Sequence, residues 1–209
     1  MVVRVAPWRI ALVCMLLAFT GTLDAGAAKR KRSCPRADTK TVARNGAVRL
    51  FVREGDANRT LHACLRKSRR TLKLVKNSDD DLYESAEYSN VRLAGYFVAW
   101  SYQRTDVSCK ADCPPNYNAT FESVQRFDLR TEGEKDVSAG VHGSALRLNR
   151  RGALGWTEED IDGLFDVVAY DRADKRILDH GLVPTRSLRF SGRTLRWTNG
   201  GVERSATLD

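Results

Sequence analysis

The sequence predicts an all-β chain of four antiparallel β-repeats, and three observations predict it. One short pattern occurs four times: an alternating apolar piece, a turn containing Gly, and a second piece that ends on an aromatic residue. Apolar and polar residues alternate at period two through these pieces, as they do in half-buried strands. Charged turns such as "RKSRR", "RTEGE" and "DRADK" separate them.

The first repeat opens on "TVARNGAVRLFVR", with Gly46 five residues before Phe51. The second is "VRLAGYFVAWSY", with Gly95 and Trp100; the third is "LRLNRRGALGWTE", with Gly152 and Trp156; the fourth is "LRFSGRTLRWTN", with Gly192 and Trp197. Gly at the turn suits a tight connection that needs a positive φ. A further strand follows in each repeat, at residues 60–66, 121–129, 165–172 and 204–209. The first three repeats then add one more, at residues 71–75, 134–139 and 175–181. "TEEDIDGLF" (157–165) offers Thr157 as a helix N-cap with acids in the first turn. It is short and contains Gly163, so it reads as the connection of a hairpin. The repeated aromatics lie 49, 56 and 41 residues apart, and the longest interval holds the loop "CKADCPP". A period of roughly 40–50 residues with four strands each is the pattern of propeller blades. The fold class is therefore all-β, a small or partial β-propeller-like array; the alternative arrangement is a β-sandwich. The fourth repeat lacks its last strand, and an extra strand, residues 40–45, precedes the first. The expectation is that residues 40–45 join the sheet of residues 194–209, which would remove exposed edges.

The first 28 residues have a basic start (Arg4, Arg9), an apolar stretch from Ile10 to Leu17, and the small-residue pattern Ala25-Gly26-Ala27. That is the pattern of a cleaved secretory signal peptide, and its apolar core is shorter than the roughly 20 residues of a membrane span. The chain divides into a signal peptide (1–28), a basic N-terminal arm (29–39) and one β-repeat domain (40–209). The exported chain is expected outside the cytoplasm, with no stable membrane span after cleavage. Cys14 leaves with the signal peptide, and Cys34, Cys64, Cys109 and Cys113 remain. An even count in an oxidising compartment points to disulfides, and four cysteines allow three pairings. The favoured pairing is Cys109–Cys113, closing a tight polar loop, with Cys34–Cys64 pinning the arm to the first repeat. The cysteine spacing and the three separate histidines (His62, His142, His180) do not form a zinc pattern, so no metal site and no cofactor is expected.

Net charge falls from +9 to +8 with the loss of Arg4, Arg9 and Asp24. The basic excess is concentrated in "KRKR" (29–32) and in "RKSRRTLKLVK" (66–76). Arg66, Lys67, Arg69 and Arg70 are the candidates for binding an anionic envelope polymer. Basic residues are not interleaved with aromatics along a groove, so nucleic acid is not an expected partner. Nucleophile-elbow, phosphate-loop and H-E-x-x-H patterns are missing, and no catalytic residue is assigned. The acidic clusters at residues 78–87 and at Glu158, Glu159, Asp160 and Asp162 read as solvated turns. Phe51, Trp100, Trp156 and Trp197 recur at one place in each repeat, which is how core residues behave.

Two segments, "SVQRFDLRTEGEKDV" and "DVVAYDRADKRILDHG", resemble the strand–turn–strand hairpins of TolB-type and other WD-repeat-like propeller blades. The resemblance rests on Asp128, Leu129, Thr131 and Gly133, then on Asp171 and Arg172, and covers residues 40–209. The chain is also similar to small exported bacterial β-repeat proteins. The resemblance implies the fold and transfers no catalytic residue. The expected function is a non-enzymatic binding or scaffold module at the cell envelope, with an envelope polymer or protein as partner. The rival expectation is a secreted hydrolase that acts on glycans through loop carboxylates.

Overall fold

Each expected Gly turn forms a hairpin between the strands that flank it. The computed structural model describes residues 34–35, 37–81, 84–106, 119–139, 143–160 and 162–209. The first sheet contains β1 (Thr39–Arg44), β2 (Val48–Arg53), β3 (Leu61–Leu65) and β4 (Arg70–Val75). The second contains β5 (Ser78–Asp81), β6 (Glu84–Ala94), β7 (Phe97–Asp106), β8 (Ala119–Asp128) and β9 (Gly133–Ala139). The third contains β10 (Gly143–Leu148), β11 (Leu154–Glu159), β12 (Phe165–Asp171) and β13 (Asp174–Gly181). The fourth contains β14 (Arg189–Ser191), β15 (Thr194–Asn199) and β16 (Val202–Thr207), preceded by a single 3₁₀ turn at Thr185–Ser187. Every sheet is an antiparallel meander in chain order. The fold is all-β, four repeats in series like the blades of a partial propeller.

Alternation along each strand gives every sheet two faces, and the faces of successive sheets meet in three apolar clusters. Val48, Leu50, Leu61 and Ala63 of the first sheet meet Val98, Trp100 and Phe127 of the second. Ala99 and Val124, on the other face of the second sheet, meet Leu146, Leu154, Trp156 and Val168 of the third. Val167 and Ala169 of the third sheet then meet Leu195, Trp197 and Leu208 in the fourth repeat. Trp100, Trp156 and Trp197 each lie between their own sheet and the preceding one, and all three are at most 3 % exposed. Each indole N–H also finds an acceptor: Trp100 donates to Gln125 Oε1 at 2.7 Å, Trp156 to Glu158 Oε1 at 2.8 Å and Trp197 to Asp179 Oδ2 at 2.7 Å.

Phe51 occupies the same place in the first repeat, where no sheet precedes it among the described residues. Its ring stacks on His62 with centroids 5.3 Å apart, and the Arg49 guanidinium lies 5.2 Å from the ring centre. Arg49 pairs across the strands with Cys64, and the disulfide Cys34–Cys64 fastens the N-terminal arm at this position. Arg49 also donates to the Pro35 carbonyl, so the arm is held by a covalent bond and a hydrogen bond together.

A chain of arginines joins the inner strands. Arg92 on β6 donates through Nε to the Leu146 carbonyl at 2.9 Å and through Nη1 to the Val91 carbonyl at 3.1 Å. Arg147 on β10 repeats the arrangement one sheet on, with Nε to Leu188 at 2.8 Å and Nη1 to Leu146 at 3.0 Å. The Leu146 carbonyl therefore accepts from both arginines, which uses both its lone pairs. Burial pushes the Arg147 guanidinium below its usual range, and the nearby Arg92 charge acts in the same direction.

The structure corrects three expectations. Residues 40–45 do not join the sheet of residues 194–209; β1 pairs with β2 in the first sheet. Asn45 closes that hairpin locally, its Oδ1 accepting from the Ala47 and Val48 N–H groups at 2.9 Å each. A short loop closes at less entropic cost than a connection across the whole domain. The acidic stretch 78–87 is strand where it is described: Ser78–Asp81 form β5, and β6 starts at Glu84. Glu158 is not solvated: it is 7 % exposed on β11, held by Trp156 and by Lys175 Nζ at 3.1 Å. The remaining acids of that segment flank a turn in which Gly163 N–H donates to the Asp160 carbonyl at 3.0 Å, so residues 157–165 form no helix: the expected hairpin connection lies between Glu159 and Phe165. The signal peptide, Cys109–Cys113 and His142 lie outside the described residues.

Two outcomes follow. Replacing Arg147 by Lys loses the planar fork that reaches two carbonyls at once, and chemical denaturation should show a loss of about 1–3 kcal/mol. The disulfide closes a separation of 30 residues. Replacing Cys34 by Ser should lower stability by roughly 2–4 kcal/mol in the same assay.

Candidate functional site

The antiparallel meander brings equivalent turns to one end of the domain. Four of them, one from each repeat, line a single cavity of about 890 Å³. The turn between β1 and β2 contributes Asn45, and that between β6 and β7 contributes Gly95. The turn between β10 and β11 contributes Asn149, Arg150 and Arg151, and that between β14 and β15 contributes Gly192 and Arg193. Gly95 and Gly192 each open a two-residue turn with φ of 61°, a conformation that side chains other than glycine resist. The turns also touch one another. Asn45 Nδ2 donates to the Gly95 carbonyl at 2.9 Å, and a Cβ on Gly95 would lie 3.5 Å from the Arg150 carbonyl.

Asn149 performs in the third repeat the task of Asn45 in the first. Its Oδ1 accepts from the N–H groups of Arg151 at 2.9 Å and Ala153 at 3.0 Å. The difference lies at the other amide atom. Asn45 Nδ2 has the Gly95 carbonyl, whereas the buried Asn149 Nδ2 has no hydrogen-bond partner among the described residues. A buried donor left unpaired costs about 1–3 kcal/mol.

The charged residues that line the cavity are arginines. Arg193 is paired with the Asp209 carboxylate. Arg150 and Arg151 are exposed, and among the described residues neither guanidinium meets a carboxylate. The outer turns of the first three repeats return to the same end. The Arg66 N–H donates to the Ala47 carbonyl at 2.9 Å, and the Leu129 N–H donates to that of Tyr96 at 3.0 Å. The four basic residues expected to bind anionic polymer, Arg66, Lys67, Arg69 and Arg70, therefore lie on the same end as the cavity but outside its lining. They form an exposed turn, and Arg70 is engaged with Glu132 of the next sheet, Nη2 to Oε2 at 2.7 Å. The opposite end carries the acidic turn at Glu159, Asp160 and Asp162 and the backbone of Ser78–Asp81.

A smaller cavity of about 370 Å³ adjoins the first through Arg151 and includes Asp171, Asp174 and Asp209. Asp171 is 5 % exposed and bound by both Arg176 nitrogens, Nη1 to Oδ1 at 2.7 Å and Nη2 to Oδ2 at 2.8 Å. It also accepts the N–H of Ala173 at 2.9 Å and that of Asp209 at 3.0 Å, which ties the chain's last residue to the third sheet. The Arg176 guanidinium, aided by these N–H groups, lowers the Asp171 pKa to about 2. This is the opposite of the raised value an acid catalyst needs. Asp56, Asp128 and Asp179 are also shifted down, the first by its hydrogen bonds to Thr60, the second by Arg130 and the third by Trp197 and Asn199 against the opposing effect of burial.

The histidines are dispersed. His62 packs on Phe51, and burial pushes its pKa down. His180 Nδ1 lies 2.7 Å from Asp166 Oδ1 at the protein surface. Among the described residues, no group of three or more His, Cys, Asp and Glu is placed to hold a metal ion. In the sequence Asn149 and the cavity arginines stand only as turn residues, because nothing in the linear order of residues shows that four turns meet. Comparison with protein-family models, curated proteins and solved structures finds no match to this chain.

Asp171 sets a clear expectation for acid. A carboxylate depressed in the folded state stabilises fully above its unfolded pKa, and this contribution is lost as pH falls through the folded value. Urea titrations should show roughly 2 kcal/mol lost between about pH 4 and pH 2. Replacing Asp171 by Asn should remove that part of the pH dependence.

Proposed function

We propose that this chain is an exported, non-enzymatic binding module of the cell envelope, and that its ligand site is the arginine-lined cavity where the four turns meet. The observation that carries the reading is the convergence of one equivalent turn from each repeat on one cavity. Repeat architectures bind at such shared surfaces because no single repeat supplies a concave site. The signal-peptide pattern at residues 1–28 and the Cys34–Cys64 disulfide support an oxidising, extracytoplasmic location.

The lining of the cavity favours binding over glycan hydrolysis. Hydrolysis of a glycoside uses two carboxyl groups that flank the bond, one of them with a raised pKa. The cavity presents guanidinium and amide groups instead, and the buried carboxylate of the adjoining cavity, Asp171, is held ionised by Arg176.

The test is co-sedimentation of the purified exported chain with the envelope fraction of its own cells across a salt series. Retention at physiological ionic strength is expected, because a concave site with directed donors resists screening better than a charged turn does. Loss of binding at modest salt, or release of new reducing ends from the envelope glycans, would overturn the reading.

A further inference from the structure

We infer that the cavity takes an oxyanion group, a carboxylate or phosphate carried by its ligand, between Arg150, Arg151 and the side-chain amide of Asn149. The inference rests on the cavity being the binding site. Three observations lead to it. Arg150 and Arg151 line the cavity with no carboxylate partner among the described residues, whereas the third lining arginine, Arg193, is paired with Asp209. Asn149 brings a buried donor that nothing in the described chain uses. The same side chain in the first repeat, Asn45, gives its donor to an oxygen, the Gly95 carbonyl. The chain thus employs this amide once toward an oxygen acceptor, and its second copy lines the cavity together with two guanidinium groups that meet no carboxylate among the described residues.

Guanidinium groups match carboxylate and phosphate oxygens in charge and in fork geometry. An amide N–H adds a directed bond to the same oxygens. The basic turn at residues 66–70 is a weaker candidate: it is an exposed hairpin turn, it draws on one repeat alone, and its Arg70 is already engaged with Glu132.

The experiment follows backbone amide and arginine Nε–H signals of the purified exported chain by NMR. The probes are inorganic phosphate, galacturonate, polygalacturonate and, as a neutral control, galactose. Saturable shifts at residues 149–152 with phosphate or galacturonate, but not with galactose, are expected. Free galacturonate that displaces polygalacturonate would assign the site to the sugar acid itself; polymer binding that the monomer cannot displace would assign it to the chain of sugar acids. Arg150→Gln with Arg151→Gln changes two exposed side chains and should abolish the shifts with the fold intact. Asn149→Asp keeps the oxygen that Arg151 and Ala153 use, replaces the donor by an acceptor, and should weaken binding by about tenfold or more. Equal binding of galactose would leave the cavity as the site and overturn the oxyanion. Shifts confined to residues 66–70 would overturn the assignment to Arg150 and Arg151. If no probe moves residues 149–152 and the envelope fraction is retained, the oxyanion inference fails alone; if the fraction is not retained either, the cavity reading fails with it.

Discussion

An inner strand that lies at the edge of its sheet leaves backbone carbonyls without a ladder partner, and the whole array depends on how these are satisfied. β10 and β14 are edges, and β5 covers only the far part of β6. Arg92 and Arg147 answer this need across the sheet boundary, each bonding a carbonyl of the next repeat and one of its own. The same contacts that cap the edges therefore set the spacing between sheets. A lysine or a polar amide has neither the reach nor the fixed fork for both bonds. Because two like charges are held close in a partly buried setting, the arrangement needs the carbonyl dipoles as much as they need it.

Packing then follows a single rule along the chain. The tryptophan on the second strand of the second, third and fourth hairpins faces the preceding sheet, and in the second and third its neighbours in sequence face the following one. The first repeat shows the rule by its exception. Phe51 has His62, Arg49 and the tethered arm where the others have a sheet. The disulfide fastens a segment at the outer face of the first sheet, one of the two faces in the array that no described sheet covers.

Much of this was legible in the sequence. The Gly-to-aromatic spacing located all four leading hairpins, and alternation located the strands after them, because both signals are local. The core role of Phe51 and the tryptophans followed from their recurrence at one place. What escaped the reading was non-local or masked by composition. The run "SDDDLYESAE" is too acidic to resemble a strand, and β5 forms by pairing with β6 in spite of it. Glu158 stands among exposed acids in sequence, yet its strand position turns it inward to an indole and an ammonium group. Residues 40–45 were correctly seen as a strand and wrongly given a distant partner, since the capping role of Asn45 was not recognised. The cavity itself is a property of the assembled repeats; Asn149, Arg150 and Arg151 gain meaning only beside Gly95 and Gly192.

The convergence of turns has a consequence for how the cavity is lost. Its walls come from four separate hairpins, one in each repeat. Units of a repeat array that touch only their neighbours can open at one end while the rest stays folded. Release of the first or the fourth repeat takes away one wall, so the cavity is a property of the intact array and vanishes before the last sheet unfolds.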